Sequence, residues 1–133
     1  MERNPKGIVR LEEATGVDLS AAVGKAVGVD ASGNAVLGGD FGVVTEAYSN
    51  GVAVAVFGGN AGPVEVKLAG TVDVGDYLVR NPSTGTWTAA AATDVAEARA
   101  IEAGVATELV AAVLLPPAGR IGAEVYAAYA SET

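Results

Sequence analysis

Ser49-Asn50-Gly51 lies between two runs, 41–48 and 52–57, whose residues favour extended backbone. Asn-Gly reaches the positive φ values of a tight reversal, so this stretch predicts a β-hairpin. The second run constrains the fold further. Side chains alternate across a strand, which puts Val52, Val54 and Val56 on one face and Ala53, Ala55 and Phe57 on the other. Both faces are apolar, so this strand must be covered on both sides.

Similar signals recur along the chain. Residues 25–30 and 35–37 flank Ala31-Ser32-Gly33-Asn34, a second short hairpin. Residues 64–69 alternate, with Val64, Val66 and Leu68 facing in and Glu65 and Lys67 facing out. Gly75 separates 72–74 from 76–80 and marks a bend or bulge. Asn81-Pro82-Ser83-Thr84-Gly85 is a turn leading to 86–90. Residues 101–107 and 109–115 read as a closing pair of strands, stopped by Pro116-Pro117. Asp94 and Glu97 have the spacing of a helix cap, giving one helical turn near 94–99. Ile121, Val125 and Tyr129 share one face of a short helix within 121–130.

The chain has 133 residues, enough for one domain with one core. Half of them are apolar, chiefly Ala and Val, and 18 are Gly, a composition of short strands and tight turns. The expected fold is all-β, a small barrel or sandwich of about nine short strands with at most one or two short helical segments. Residues 1–20 read as an extended N-terminal arm, since Asn4, Pro5 and Gly7 discourage regular structure. Residues 21–117 form the β-rich domain and 118–133 a C-terminal extension.

Charge is distributed unevenly. The net charge is −8, yet the first ten residues hold Arg3, Lys6 and Arg10 against Glu2. An acidic body repels phosphates and anionic lipids, so neither nucleic acid nor a membrane is an expected partner. The start has no apolar signal-peptide core, and stretches such as 109–117 are too short to span a bilayer, so cytosolic synthesis is expected. There is no Cys and no His. That removes the commonest general base, the usual activator of a nucleophile and the usual zinc ligands. No cofactor, metal site or catalytic residue is expected. Asp73 and Asp76 beside Gly75 read as turn solvation. Gly24-Lys25 lacks the phosphate-loop pattern, and the Gly-rich stretch 58–62 precedes a strand rather than a helix. Trp87, with Tyr77 in the preceding strand, is the one aromatic pair that could stack on a sugar, and a core-edge role competes with that reading.

Phe41-Gly42-Val43-Val44 is followed by Gly62-Pro63-Val64-Glu65-Val66-Lys67-Leu68-Ala69-Gly70. Next come Val74-Gly75-Asp76-Tyr77-Leu78-Val79, Ala103-Gly104-Val105-Ala106 and Val110-Ala111-Ala112-Val113-Leu114-Leu115-Pro116. This order, over roughly residues 23–117, resembles the capsid cement, or head decoration, proteins of tailed bacteriophages. The helix-prone insert 94–101 departs from the pattern, and residues 118–133 lie beyond it. The resemblance implies a structural protein of the virion that binds the outer capsid surface and braces it. Its partners would be the major capsid protein and itself, as a homotrimer. The capsid contacts are expected in the arm, with Ile8, Val9 and Leu11 as apolar anchors and Arg3, Lys6 and Arg10 meeting capsid carboxylates. Deleting residues 1–12 is then expected to leave a folded body that no longer stays on capsids. The alternative is a ligand-binding β module, carbohydrate-binding or adhesin-like, displayed on a particle surface.

Overall fold

The fold is described for residues 2–3, 7–59 and 61–116 of a computed structural model. Eleven strands occur among them: β1 (Glu2–Arg3), β2 (Ile8–Glu12), β3 (Ala26–Val29), β4 (Ala35–Leu37), β5 (Gly42–Ala47) and β6 (Gly51–Val56), then β7 (Val64–Lys67), β8 (Tyr77–Arg80), β9 (Trp87–Ala89), β10 (Ala98–Ala100) and β11 (Leu109–Leu114). They make a six-stranded sheet in the order β1-β2-β6-β5-β3-β4 and a five-stranded sheet in the order β7-β11-β10-β8-β9. Every pairing of strands is antiparallel. The architecture is a sandwich, not a closed barrel.

The hairpins fall where the turn chemistry puts them. β5 and β6 pair around the Asn-Gly reversal, closed by the Tyr48 N–H on the Gly51 carbonyl at 2.8 Å. β3 and β4 pair around Ser32 and Gly33, and the Asp30 carboxylate accepts the N–H groups of Ser32 and Asn34, each at 2.9 Å. Asn81 does the same for Ser83 and Thr84. Such local bonds satisfy turn amides that no strand partner reaches.

β6 is covered on both sides, as its two apolar faces require. Ala55 and Phe57 face a core shared with the five-stranded sheet, where Val66, Leu68, Leu78, Trp87 and Ala98 are buried. Val52 and Val54 face the other way, into a second cluster roofed by Leu19 and Ala22 from the segment between β2 and β3. That segment is tied down by the Ala14 N–H on the Ala35 carbonyl at 3.0 Å and by the Leu19 N–H on the Glu13 carboxylate. A bulge between Val44 and Glu46 resets the alternation of β5. Val44 and Ala47 therefore both pack on the roofed cluster, while Glu46 pairs with Ala53 on the opposite face. Without the bulge, the period of two would turn Glu46 into the roof.

The two sheets meet along a backbone seam. The Lys67 N–H donates to the Gly24 carbonyl and the Ala26 N–H to the Gly85 carbonyl, both at 2.8 Å. Gly24 and Gly85 have φ of +85° and +75°. A Cβ on Gly24 would lie 2.7 Å from the Lys67 nitrogen, and one on Gly85 would lie 2.9 Å from the Ala26 nitrogen. Only Gly allows both the conformation and the approach. One ion pair supports the seam: Arg80 Nη1 lies 2.7 Å from Glu97 Oε2, and Arg80 Nε donates to the Gly39 carbonyl at 3.0 Å.

Three expectations change. The helical turn at 94–99 does not form, and no helix occurs among the described residues. The Asp94 carboxylate accepts the Ala91 N–H instead, and Glu97 turns to Arg80, so β10 begins at Ala98. The strand expected over 101–107 lies earlier, at Ala98–Ala100, because Ala98 and Ala100 fit the shared core while Ile101 is exposed and Thr107 has φ +75°. Finally, residues 8–12 of the expected arm form β2, an integral strand paired with β6 along its whole length. The helix expected within 121–130 lies outside the described residues.

Val64, Val66 and Leu68 are buried and Glu65 is exposed. Leu68→Ala should therefore cost about 2–5 kcal/mol by denaturant titration, and Glu65→Ala less than about 0.5 kcal/mol. Equal losses would contradict the register of β7.

Candidate docking edge

Among the described residues, the expected contact residues divide between a core and an edge. Val9 and Leu11 are each 6% exposed and belong to the roofed cluster under Leu19 and Ala22. Ile8 faces the shared core and is partly buried against it. Val9 and Leu11 thus fill the protein's own interior, and Ile8 does so in part. The missed signal was the period of two in Val9-Arg10-Leu11-Glu12, apolar then charged, which is that of a half-buried strand. Val9 and Leu11 point into the core, while Arg10 and Glu12 are exposed.

Arg3 lies on β1, the outermost strand of the larger sheet, opposite Val9 in the register. Lys6 lies outside the described residues. Arg10 is opposite Glu2 on one side and Ala53 on the other. Its guanidinium carbon sits 4.2 Å above the centre of the Tyr48 ring, and the Tyr48 hydroxyl donates to Glu46 Oε2 at 2.9 Å. Stacking of this kind holds the cation at the surface. Arg10 also borders an open groove of about 720 Å³, together with Glu12, Asn34, Phe41, Tyr48 and Asn50. The tips of two hairpins and the end of β2 thus converge beside Arg10 and Glu12.

The other sequence candidates resolve into structure. Trp87 is fully buried, 6.2 Å from the Phe57 ring centre, and its Nε1 has no hydrogen-bond partner. It is a core residue and offers no stacking platform. Tyr77 lies under the Arg99 guanidinium at 5.0 Å. Asp76 accepts the Asp73 N–H at 2.9 Å, closing the turn around Gly75. The Gly24 and Lys25 N–H groups donate to the carbonyls of Val44 and Ala22, so neither is directed at a phosphate.

Among the described residues no three or more acidic side chains gather to hold a metal ion. The exposed Asp18 carboxyl lies below its ordinary value because the Ser20 N–H and hydroxyl bond its charged form. A lowered carboxylate is the reverse of what acid–base chemistry near neutral pH uses. Comparison with protein-family models, curated proteins and solved structures finds no match for this chain.

The burial of β2 separates two substitutions next to each other in sequence. Leu11→Ala should destabilise the protein by about 2–5 kcal/mol, whereas Arg10→Ala should cost no more than about 1 kcal/mol, the range of an exposed cation–π contact. Thermal melts of the two variants check this. Similar losses would mean that residues 8–12 are not part of the sheet.

Proposed function

We propose that this chain is a capsid decoration protein of a tailed phage, a non-catalytic brace that binds the outer face of the head. The observation that carries the reading is the concentration of basic residues at the start of an acidic chain, Arg3, Lys6 and Arg10 against Glu2 within residues 1–10, on and beside the edge strands of the larger sheet. Arg3 lies on the outermost strand of the six-stranded sheet and Arg10 on the next, and Lys6 joins them in the chain. The resemblance of residues 23–117 to decoration proteins supports the same reading, and its quoted segments supply β5, β7, β8 and β11.

The edge can grip in a simple way. The outermost strand, Glu2–Arg3, leaves a short stretch of backbone N–H and C=O groups that a strand of the shell can join. Arg3, Lys6 and Arg10 then meet carboxylates of the major capsid protein. Each exposed ion pair adds about 0–1 kcal/mol and weakens with salt, so the charges steer docking while backbone pairing holds it. Copies grouped as homotrimers on a repeating lattice multiply a modest single contact. No nucleic acid, membrane or cofactor takes part. The groove beside Arg10 favours a second reading, a ligand-binding β module on a particle surface, which titration of the free protein with glycans separates from the first.

The test uses shells assembled from the major capsid protein encoded nearest to this chain. Wild-type protein should co-sediment with expanded shells, less so as salt rises, and raise their melting temperature. The Arg3→Glu, Arg10→Glu double variant should keep its circular dichroism spectrum and bind at least tenfold more weakly. Wild type that does not bind, or a double variant that binds as tightly, would overturn the reading.

A further inference from the structure

Five Asn residues occur in the chain, and only Asn50 is followed by Gly. Asn is among the thermolabile residues of a protein. Its side-chain amide is lost when the backbone nitrogen of the next residue attacks the amide carbon. A side chain on that next residue hinders the attack, and Gly has none. The fold keeps Gly in this place. A Cβ on Gly51 would run into the Leu11 carbonyl of the neighbouring strand β2, so the pair cannot change at that position without disturbing the sheet.

Asn34 and Asn81 stand in a different setting. The Asn34 N–H donates to the Asp30 carboxylate at 2.9 Å, and its carbonyl accepts the Asp30 N–H at 2.8 Å. The residue after it, Ala35, is fully buried and carries a Cβ. Asn81 spends its side-chain oxygen on the N–H groups of Ser83 and Thr84, at 2.8 and 3.1 Å. Pro82 after it has no N–H to give up. Asn50, by contrast, is exposed at the tip of the β5–β6 hairpin. Among the described residues, the bond that ties it is the one from the Glu13 N–H to its backbone carbonyl, at 3.1 Å. An exposed tip held in this way opens locally at little cost.

We propose that Asn50 is a site of spontaneous modification, a slow chemical step that turns the neutral hairpin tip beside Arg10 into an anionic one. The Gly51 nitrogen loses its proton to solvent and bonds to Asn50 Cγ. The Cγ–Nδ2 bond breaks, and the amide nitrogen leaves as ammonia. Water then opens the resulting succinimide at either carbonyl, which leaves aspartate or isoaspartate at position 50. One water is consumed and one ammonia released, with no oxidant or reductant. Arg10 and Glu12 are the charged residues among those lining the groove at this tip, and their charges balance. The new carboxylate makes the groove acidic. On the proposed function this charge arises beside the docking edge, but the modification itself stands whether or not the protein binds a shell.

The test follows the folded, full-length protein over time in mildly alkaline buffer. Peptide mapping by mass spectrometry should show amide loss at Asn50 at least tenfold faster than at Asn34 or Asn81, which serve as controls within the same chain. Ion exchange should resolve an acidic species that grows at the same rate as the change at Asn50. Asn50→Asp should elute with that species from the start. Asn50→Gln, a substitution at an exposed position, should keep the wild-type circular dichroism spectrum and accumulate the acidic species at least tenfold more slowly. Amide loss at Asn50 no faster than at Asn34 would overturn the proposal. So would an acidic species that grows as fast in Asn50→Gln as in wild type.

Discussion

The Gly24 carbonyl accepts the Lys67 N–H, and the Gly85 carbonyl accepts the Ala26 N–H, at points where the two sheets come within backbone contact. Everything else in the fold follows from that approach. It brings β7, the edge strand of the smaller sheet, against β5 and closes the shared core on one side. Within that core Val66, Leu68, Leu78 and Trp87 lose nearly all their exposure, and each fully buried Val or Leu side chain contributes about 1.5–3 kcal/mol. A side chain at Gly24 or Gly85 would force the sheets apart and open this layer to water. Arg80 and Glu97 guard the same junction, because the Arg80 guanidinium also holds the Gly39 carbonyl of the opposite sheet. Breaking a buried pair on one side costs about 3–5 kcal/mol, since the remaining charge stays without its partner.

The parts of this design that rest on short-range chemistry are legible in the sequence. Asn50-Gly51, Gly33-Asn34 and Asn81 to Gly85 are local reversals, and each lies where its residues put it. The two apolar faces of β6 announce cover on both sides. What the sequence conceals is long-range. Nothing near Val9 and Leu11 states that β6 will accept them as neighbours; only their alternation with Arg10 and Glu12 hints at it. Asp94 and Glu97 have the spacing of a helix cap, but a partner seventeen residues back, Arg80, takes the Glu97 carboxylate. Tertiary pairing there outweighs a local signal worth about 1 kcal/mol.

Among the described contact residues, Arg10 is exposed, whereas Val9 and Leu11 are buried and Ile8 is partly so. Arg10 is held in place by Tyr48, and β1 carries Arg3 to the rim of the sheet. Ile8, Val9 and Leu11 serve the core that supports them. Residues 8–12 are thereby a strand of the sheet rather than part of a detachable arm. On the proposed reading, a strand already ordered in the free protein would lose little conformational entropy on docking. It also ties grip to stability, since removing residues 8–12 removes a central neighbour of β6.

The central claim, that the β1–β2 edge of the larger sheet faces the shell, is tested most directly by an electron cryomicroscopy reconstruction of decorated shells. The account predicts β1 and β2 against the capsid surface, with the outer face of the five-stranded sheet turned away from it. Density in which that outer face meets the shell and the β1–β2 edge points to solvent would contradict it.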